Sequence, residues 1–311
     1  MEERDILVIG AGPAGLSAAQ YGARAARKTT LIEEMAPGGQ TLVIDAIENY
    51  PGVNKVVSGY ELGTQFQDQA ERFGAELVYA TVQVMTKDGD RFIVKTTNGD
   101  YSAPTVIVCT GAKHRFLGIP GEEPYTGKGV SYCATCDGPF FRNKKILVVG
   151  GGDSACSEAL YLAKLSDKVT LIHRRDRFRA QQEIAERVMK DPHIDVRLQH
   201  TATSIEGDGT KVQRVILNNL ATGEVYTEDF DAVFVFVGML PQTALTPDVE
   251  KDDTGYIVTN GRMETSVPGL FAAGDVRNTP FRQIVTAAAD GAVAAHCASE
   301  YIDELAGRAY K

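Results

Sequence analysis

Two stretches of the chain, residues 5–34 and residues 145–174, follow the same pattern of apolar and small residues and align without a gap. Each opens with a continuously apolar run, which is typical of a parallel strand buried on both faces. A glycine cluster and an alanine-rich segment come next, and a second apolar run follows, at Thr29–Ile32 and Val169–Ile172. The pattern predicts two copies of a strand–turn–helix–strand unit.

The remaining patterns predict further elements of an α/β protein. Residues 58–73 carry apolar side chains on one face, as in an amphipathic helix. Residues 36–52 contain glycine and proline and predict a long loop, which in a compact domain is usually functional. The other predicted elements are a hairpin of Leu77–Thr86 with Arg91–Thr97, buried strands at Thr105–Cys109 and Ala232–Val237, a short strand within residues 267–275, and a final helix from near Gln283.

Two stretches that contain glycine and proline, Gly118–Gly129 and Gly238–Pro241, mark candidate domain boundaries. A chain of 311 residues is long enough for two separate cores. We therefore predict an α/β fold with two Rossmann-like, three-layer dinucleotide-binding domains, divided into residues 1–117, residues 118–241 and residues 242–311. Spacing alone leaves open whether the last segment returns to the first domain.

The turn between strand and helix has the composition of a dinucleotide-binding turn in both copies. Small residues stand at three matching positions, which are Gly10, Gly12 and Gly15 in the first copy and Gly150, Gly152 and Ala155 in the second. The first permits a tight turn, the second lets the backbone approach a pyrophosphate, and the third lets helix and strand pack closely. The amino terminus of the helix then faces the anion. Two aligned copies predict two dinucleotide sites.

The residues that end each copy differ in charge and predict different ligands. Glu33 ends the first copy, where a carboxylate can accept hydrogen bonds from a ribose hydroxyl. The aligned position in the second copy is His173, followed by Arg174 and Arg175, whose guanidinium groups can bind a 2′-phosphate. The first copy therefore suits FAD or NAD, and the second suits NADPH. The alternative for the arginines is a solvated run of charge.

Composition and charge narrow the function classes. Acidic residues outnumber basic ones, 41 to 32, and the net charge of −9 argues against nucleic acid as a partner, because backbone phosphates require a basic surface. No apolar run approaches the ~20 residues that span a membrane, and Met1 lies too close to the first predicted strand for a signal peptide. Five cysteines in this arrangement do not resemble a secreted disulfide framework, so we expect a cytoplasmic protein.

A Cys-x-x-Cys pair lies shortly before the second glycine turn, in residues 133–137, which read CATCD. Such a pair binds metal, forms a static disulfide or cycles between dithiol and disulfide. The other cysteines and the histidines lack the pairing that a zinc site needs, so we predict no metal. Static disulfides are uncommon in the cytosol. A redox-active pair, with one attacking thiolate and one resolving thiol, is therefore the favoured interpretation.

The residues around the pair have two interpretations each. Asp137 directly follows the pair and can carry a proton to or from a thiol during turnover. The alternative is an ordinary turn residue, since Gly and Pro follow it. The other cysteines, Cys109, Cys156 and Cys297, are best interpreted as small packing residues.

Along essentially its full length the chain closely resembles the low-molecular-weight thioredoxin reductases. One departure is Ser157-Glu158, where the family often has two consecutive glutamates. The resemblance implies an FAD domain formed by both ends of the chain, an NADPH domain inserted between them that carries the cysteine pair, and a homodimer. The matching motifs are the two glycine turns and residues 38–40 (GGQ), 49–52 (NYPG), 109–112 (CTGA), 133–137 (CATCD), 173–175 (HRR), 273–275 (AGD) and 282–284 (RQI).

The resemblance also implies roles for individual residues. NADPH would reduce FAD, reduced FAD would reduce the cysteine pair, and the dithiol would reduce thioredoxin or a thioredoxin-like protein through a mixed disulfide. In this scheme Cys133 would attack thioredoxin, Cys136 would face the flavin, and Asp137 would act as general acid. The implied FAD contacts are Gly10, Gly12, Pro13, Ala14, Gly15, Glu33, Gly39, Gln40, Asn49, Thr110, Gly111, Gly274, Asp275, Arg282, Gln283 and Ile284. The implied NADPH contacts are Gly151, Gly152, Asp153, Ser154, His173, Arg174, Arg175 and Arg179.

Several alternatives stay open at this point. Phe140 and Phe141 are either an aromatic patch for thioredoxin or two core side chains. A ferredoxin-NADP reductase of this architecture would lack the cysteine pair, and a ferredoxin-fed thioredoxin reductase would lack the arginine pair. A non-catalytic NADPH sensor would not need the cysteines. The alternative function is a flavin-dependent reductase or dithiol oxidase acting on another thioredoxin-like protein or a small disulfide.

Overall fold

A computed structural model describes residues 1–44 and 47–308 of the chain. Positions 45 and 46 of the predicted loop therefore lie outside the described residues. The chain divides into two compact units, one formed by Met1–Lys113 with the residues from Pro241 onward, the other by His114–Leu240. Each unit has its own parallel sheet and its own buried core. Two further short strands, Ala112–His114 and Met239–Pro241, pair with each other.

The first unit is built on a five-stranded parallel sheet. Its central strands are buried along their whole length because helices cover one face and a second sheet covers the other. The strand order is Leu270–Ala272, Thr105–Val108, Ile6–Ile9, Thr29–Glu33 and Glu76–Tyr79. The helices are Pro13–Arg24, Gly59–Arg72 and Ile284–Leu305, with 3₁₀ turns at Gly39–Val43 and Gly274–Val276.

Both ends of the chain contribute to this first unit. The strand Leu270–Ala272 pairs in parallel with Thr105–Val108, and the final helix follows with Gln283 as its N-cap. The second unit is thus inserted into a discontinuous first unit, which confirms the predicted fold class. Neither the final helix nor any other helix of the described residues is long and apolar enough to cross a membrane.

The four-stranded sheet that covers the first unit corrects one predicted element. Its strands lie in the order Glu2–Glu3, Gly99–Ala103, Arg91–Thr96 and Val82–Asp88. The prediction of a single strand over Leu77–Thr86 is wrong. The N–H of Ala80 still donates to the parallel sheet, at the carbonyl of Glu33, whereas Thr81 exchanges hydrogen bonds with Thr97. The chain therefore changes sheets between these two residues, without a break in the apolar pattern.

The second unit combines a parallel and an antiparallel sheet. Its helices pack on the parallel sheet, as in the first unit. The parallel strands lie in the order Val130–Ser131, Ala232–Phe236, Ile146–Gly150, Val169–His173 and Ile194–Leu198. The antiparallel strands are His200–Gly207, Val212–Asn219 and Val225–Asp229. The helices are Glu122–Tyr125, Ala134–Asp137, Asp153–Ala163 and Gln182–Lys190, with a 3₁₀ turn at Gly138–Phe141.

The duplicated stretches have the same strand register in the two units. Ile6 pairs with Thr29 in the first unit, and Ile146 pairs with Val169 in the second. These are corresponding positions of the aligned sequences. A glycine turn and a helix follow at the same place in both copies. The predicted duplication of a strand–turn–helix–strand unit is confirmed.

Candidate redox and dinucleotide-binding sites

The first glycine turn (Gly10–Gly15) follows the first strand of the parallel sheet. Gly10 has a φ of +97°, and a Cβ there would stand 2.5 Å from the carbonyl oxygen of Cys109. A Cβ on Gly15 would stand 1.8 Å from the carbonyl oxygen of Gly10. A Cβ on Gly12 would meet nothing within 4 Å. The turn is therefore closed toward the protein at its first and third glycines and open at the second, where the sequence predicts a pyrophosphate.

The helix Pro13–Arg24 begins without a side-chain cap on its first N–H groups. Its N-cap is Gly12, which has no side chain, and Pro13 at the first position has no N–H to satisfy. The N–H groups of Ala14 and Gly15 come next. Uncapped N–H groups at a helix start carry partial positive charge and attract anions. This helix start fits the phosphates of a dinucleotide.

Glu33 ends the second strand beside the first glycine turn. Its carboxylate accepts the N–H of Ala11 at 2.7 Å and the N–H of Met35 at 2.9 Å, one on each oxygen. A carboxylate oxygen can accept more than one hydrogen bond, so both oxygens retain capacity for ribose hydroxyls. The backbone thus fixes Glu33 where the sequence predicts the ribose.

The loop after Glu33 folds back over the glycine turn. The N–H of Gly38 donates to the carbonyl of Ala11 at 2.7 Å. A Cβ on Gly39 would stand 3.1 Å from the Cα of Gly12, so these two predicted FAD contacts are neighbours. The side-chain amide of Gln40 donates to the carbonyl of Ala112.

Two long-range hydrogen bonds join other predicted FAD contacts. The Asn49 amide donates to the side-chain oxygen of Gln283 at 3.0 Å, across 234 positions of sequence. Gln283 also caps the final helix, in a reciprocal arrangement with Thr286, and Ile284 begins that helix. The Thr110 hydroxyl donates to the carbonyl of Gln242 at 2.6 Å, just before Gly111.

Gly274 and Asp275 lie against the first glycine turn. Gly274 has a φ of +76°, and a Cβ there would stand 2.8 Å from the Cβ of Ala14. The N–H of Gly274 donates to Asp290 at 3.2 Å, and Asp290 also accepts from Arg277 at 3.0 Å. Burial raises the pKa of Asp275, although the charge of a nearby arginine opposes the shift. This acidic side chain is the kind of acceptor that a buried hydroxyl of a ligand requires.

The nearby arginine is Arg282, another predicted FAD contact. Its guanidinium carbon lies 4.0 Å from the ring centroid of Tyr256, within the range of a cation–π contact. Its Nε is buried and has no hydrogen-bond partner among the described residues. An unsatisfied buried donor is costly. It therefore fits an acceptor atom of a ligand bound at this place.

The second glycine turn (Gly150–Ala155) is open at the same position as the first. A Cβ on Gly152 would meet nothing within 4 Å, and the helix Asp153–Ala163 begins there without a side-chain cap. The Asp153 carboxylate accepts both the backbone N–H and the side-chain amide of Gln181, at 2.6 and 3.0 Å. Ser154 is exposed. The open helix start again fits a pyrophosphate.

His173 differs from its neighbours because it is buried. A Cβ on Gly151 would stand 2.2 Å from the Nδ1 of His173, so the imidazole lies directly under the turn. Burial lowers the pKa of His173, and the adjacent arginines lower it further. Its buried Nε2 has no hydrogen-bond partner among the described residues. His173 is therefore a neutral ring directly under the turn near neutral pH, and its contact with NADPH stays a prediction.

The arginines after His173 are presented to solvent. Arg174, Arg175 and Arg179 are all exposed. The N–H of Arg179 donates to the carbonyl of Gly151 at 2.7 Å, which brings the end of this segment back to the glycine turn. Arg174 and Arg175 directly follow His173, which lies under the turn. Guanidinium groups near an open helix start would suit a nucleotide with an additional phosphate.

The Cys-x-x-Cys pair forms a disulfide at the start of a four-residue helix, Ala134–Asp137. Its Cα atoms lie 5.4 Å apart, within the normal range for a disulfide. Cys133 is the N-cap, and its sulfur accepts the N–H of Cys136 at 3.2 Å. Cys136 is exposed and Cys133 is partly buried. A disulfide on a surface turn is accessible to exchange.

Asp137 is held by a residue that the sequence analysis missed. The buried hydroxyl of Ser131 donates to the Asp137 carboxylate at 2.6 Å and accepts the N–H of Cys133 at 3.1 Å. The N–H of Asp137 in turn donates to the carbonyl of Cys133 at 3.1 Å. The proposed proton carrier is therefore fixed beside the disulfide. A small polar residue before a Cys-x-x-Cys-Asp sequence is the only local signal for this contact.

A second missed contact anchors the residue before the pair. Tyr132 donates to the buried Glu122 carboxylate at 2.9 Å. The same carboxylate accepts the N–H groups of Leu117 and Gly118, at 2.8 and 2.7 Å. Burial and the hydrogen bond to Glu122 raise the pKa of Tyr132, which keeps it a donor. The Tyr132 ring also packs edge-on against Phe116, at 5.2 Å between centroids.

The two phenylalanines after the pair differ in burial, so each of the two predicted alternatives applies to one of them. The side chain of Phe140 is 80% exposed. Phe141 is partly buried and packs edge-on against Phe234 in the core of the second unit, at 6.0 Å between centroids. Of these two phenylalanines, only Phe140 is therefore accessible to a partner protein.

The remaining cysteines are packing residues, as predicted. Cys109, Cys156 and Cys297 are free and buried. Burial raises the pKa of all three thiols, that of Cys156 to about 12, so they stay protonated and unreactive near neutral pH. In the part of the chain that the structure describes, no group of histidine, cysteine or acidic side chains could hold a metal ion.

Comparison with known proteins places this architecture in a family. A family model described as pyridine nucleotide-disulphide oxidoreductase matches residues 4–291, a range that includes both glycine turns and the cysteine pair. A thioredoxin reductase of Treponema pallidum is 54% identical over 301 residues, covering 97% of this chain and 98% of its own.

Solved structures agree with the sequence match. The thioredoxin reductase of Lactococcus lactis is 44% identical with a TM-score of 0.94, covering 97% of this chain and 99% of its own. The thioredoxin reductase of T. acidophilum is 36% identical with a TM-score of 0.91, covering 98% of this chain and 100% of its own. The chain belongs to the pyridine nucleotide-disulphide oxidoreductase family, and within it to the thioredoxin reductases.

Proposed function

We propose that the chain catalyses the NADPH-dependent reduction of the thioredoxin disulfide, with FAD and the Cys133–Cys136 pair as the electron carriers. The observation that carries the proposal is the accessible disulfide in the same unit as the arginine-bearing second turn. A nucleotide sensor would not need the pair. A dithiol oxidase would not need the arginines.

The first unit has the features that FAD requires. FAD and NADPH, the cofactors of this family, supply when bound a two-electron path from the nicotinamide through the flavin to a disulfide. The first glycine turn offers an open helix start for the pyrophosphate, and Glu33 offers acceptors for the ribose. Asp275 and the unpaired Nε of Arg282 offer one acceptor and one donor. We therefore assign Met1–Lys113 and the residues from Pro241 onward to FAD.

The second unit has the features that NADPH requires. Its own glycine turn is open at Gly152. Arg174 and Arg175 are exposed and directly follow His173, which lies under that turn, and their charge would discriminate a 2′-phosphate from a hydroxyl. His173 keeps the turn in place from the buried side. We therefore assign His114–Leu240 to NADPH.

The reduced pair transfers two electrons to thioredoxin by thiol–disulfide exchange. The thiolate of Cys133 forms a bond to one thioredoxin sulfur while the thioredoxin disulfide breaks and releases a thiolate. Cys136 then attacks the sulfur of Cys133, re-forms the disulfide seen in the structure and releases the second thioredoxin thiolate. Each released thiolate gains one proton, and both protons come from the reduced enzyme.

Asp137 is our candidate for the group that moves these protons. Its carboxylate lies in the same turn as the disulfide and is fixed by Ser131. A carboxyl group within the turn can take a proton from the Cys136 thiol and give it to a leaving thiolate. In the disulfide state it accepts the hydrogen bond of the Ser131 hydroxyl.

Three further features of the protein are part of the proposal. The exposed Phe140 next to the pair offers thioredoxin an apolar contact. Exposed apolar side chains in the first unit, with Met35 at 81%, Tyr60 at 69% and Val56 at 61%, suit the interface of a homodimer. Three free thiols suit a cytoplasmic location. Light scattering of the purified protein measures the oligomeric state.

Anaerobic titration tests the function. The flavin absorbance at about 450 nm should bleach rapidly with NADPH and slowly with NADH, and added thioredoxin should restore it. The Cys136→Ser variant should still be bleached by NADPH and should lose thioredoxin reduction. A yellow protein that NADPH cannot bleach would contradict the proposal and direct attention to ferredoxin or to dithiol substrates as electron donors.

A further inference from the structure

Ser131 makes more contacts around the redox pair than any role in the sheet requires. Its side chain is only 4% exposed. The hydroxyl oxygen lies 2.6 Å from the Asp137 carboxylate, 3.1 Å from the Cys133 nitrogen and 3.2 Å from the Cys133 carbonyl oxygen. With the bond from the Asp137 N–H to the Cys133 carbonyl, these contacts link the three residues.

The contacts need a hydroxyl in particular. The group donates its single proton to the carboxylate and accepts an N–H with a lone pair, which no apolar side chain of this size can do. A hydrogen bond to an ionised acceptor is among the stronger ones, so the Ser131–Asp137 contact restricts the carboxylate to one orientation.

Anchoring the strand does not explain this side chain. Val130 and Ser131 pair with Val233 and Phe234 of the neighbouring strand through backbone groups, which any residue provides. Tyr132 is anchored separately by Glu122. Among the residues that the structure describes, the hydroxyl of Ser131 makes its hydrogen bonds only with the redox turn, so its contribution is to the geometry of that turn.

We propose that Ser131 is a positioning residue for the thioredoxin-reducing half of the reaction, holding the Asp137 carboxyl group where it exchanges protons with the redox thiols. The proposal rests on the function proposed above. In the exchange, Asp137 gives its proton to the first thioredoxin thiolate when Cys133 forms the mixed disulfide. It takes the proton of the Cys136 thiol, and it gives this proton to the second thioredoxin thiolate when Cys136 re-forms the enzyme disulfide. Ser131 keeps its own proton throughout and donates to the resulting carboxylate.

Stopped-flow measurement of the two half-reactions tests the proposal. In Ser131→Ala, the rate of flavin bleaching by NADPH should equal that of the wild type. Reoxidation of the reduced variant by thioredoxin should slow by about tenfold, because the proton carrier loses its orientation. The dependence of the reoxidation rate on pH should also change. Ser131→Thr, which keeps the hydroxyl, should stay within about threefold of the wild type.

A double-mutant comparison separates positioning from general damage. If Ser131 acts through Asp137, then Ser131→Ala should slow reoxidation of an Asp137→Asn enzyme by less than about twofold. The same tenfold loss in both backgrounds would overturn the proposal, as would reoxidation of Ser131→Ala at the wild-type rate. Should the alanine variant fail to fold, Ser131→Thr and Ser131→Val replace it in this test. Their side chains have nearly equal volumes, and only threonine keeps the hydroxyl group.

The wild-type protein distinguishes this proposal from the function on which it rests. Failure of NADPH to bleach the wild-type flavin, or of thioredoxin to restore it, would contradict the function itself. Normal wild-type half-reactions with an unaffected Ser131→Ala variant would contradict only the role of Ser131.

Discussion

In the first glycine turn, a Cβ at the third position, Gly15, would stand 1.8 Å from the carbonyl oxygen of Gly10. The second turn carries Ala155 at that position, fully buried in the core. The first glycine is crowded in both turns, since a Cβ on Gly150 would stand 2.3 Å from the carbonyl oxygen of Phe236 and a Cβ on Gly10 would stand 2.5 Å from that of Cys109. Both turns lead from a strand into a helix, and the tolerance of each position is set by its neighbours.

The ends of the two copies differ more than their turns. Glu33 is held by two backbone N–H groups, so its charge is fixed in place. In the second copy the aligned His173 is buried, and the charges belong to Arg174 and Arg175, which are exposed. The shared turn offers N–H groups to any pyrophosphate. We therefore expect the choice of ligand to depend on a few residues at the end of the second strand and directly after it.

Replacing Gly15 by alanine should have the largest effect of the changes that test this comparison. The new methyl group would meet the Gly10 carbonyl, and overpacking against backbone should lower the free energy of unfolding by about 3 kcal/mol. Ala155→Gly, at the matching position, should lower it by only about 1 kcal/mol. Urea unfolding and the flavin content of each purified variant measure the difference. A Gly15→Ala loss no larger than that of Ala155→Gly would show that the first turn accommodates a methyl group at its third position.

Removing both guanidinium groups, in Arg174→Ala with Arg175→Ala, should raise the KM for NADPH by about 100-fold, or about 2.7 kcal/mol. The KM for NADH should stay nearly constant, because NADH lacks the 2′-phosphate. Steady-state kinetics with both nucleotides provide the measurement. An equal rise for the two nucleotides would show that the arginines do not recognise the additional phosphate.

Glu158 tests a third difference, since the aligned residue in the first copy is the buried Ala18. Burial raises the pKa of Glu158 to about 7, and one of its oxygens has no hydrogen-bond partner among the described residues. The folded state therefore binds this proton more tightly than the unfolded state, in which the pKa is about 4.3. The corresponding stability is present below about pH 4.3 and is lost as the pH rises through about 7.

Glu158→Gln should therefore stabilise the protein by about 2 kcal/mol more at about pH 8.5 than at about pH 5.5, relative to the wild type. Urea unfolding at the two pH values measures this difference. The exposed Glu183, replaced by glutamine, is the control and should show little dependence on pH. A Glu158→Gln effect that is the same at both pH values would show that the wild-type carboxyl does not titrate in this range.

Glu33→Gln should have the smallest effect, a loss of FAD affinity of about tenfold, or about 1.4 kcal/mol. The amide keeps one acceptor and turns its NH₂ group toward one of the two backbone N–H groups that Glu33 accepts. Titration of the flavin-free protein with FAD, followed by flavin fluorescence, measures the affinity. The adjacent exposed Glu34, replaced by glutamine, should leave it unchanged. A similar loss in both variants would assign the effect to overall charge.

Elements with strong local signals could be predicted from the sequence. The helix predicted over residues 58–73 is observed as Gly59–Arg72, because Ser58 caps its first turn and apolar residues repeat along one face. The strand predicted at Thr105–Cys109 is observed as Thr105–Val108. The helix Gln182–Lys190 and the antiparallel sheet of the second unit were not predicted, because their strands are partly exposed and short of apolar runs.

Contacts between distant positions could not be predicted in the same way. The strand change between Ala80 and Thr81 follows from hydrogen bonds to Glu33 and Thr97, which belong to different sheets. The side-chain bond of Asn49 to Gln283 spans 234 positions, and no local pattern specifies it. The resemblance implied that both residues contact FAD, but it did not imply the hydrogen bond between them.

The sequence by itself determined the duplicated dinucleotide turn, the opposite charges at its two ends and the redox pair with its aspartate, because these depend on residue type and short spacing. Only the tertiary structure decided which side chains surround these turns and the redox pair. It buried His173, exposed Phe140 while packing Phe141, and brought Ser131 to the aspartate. Burial and side-chain hydrogen bonding depend on how the elements pack together, and these properties set the proton affinities and orientations that the chemistry uses.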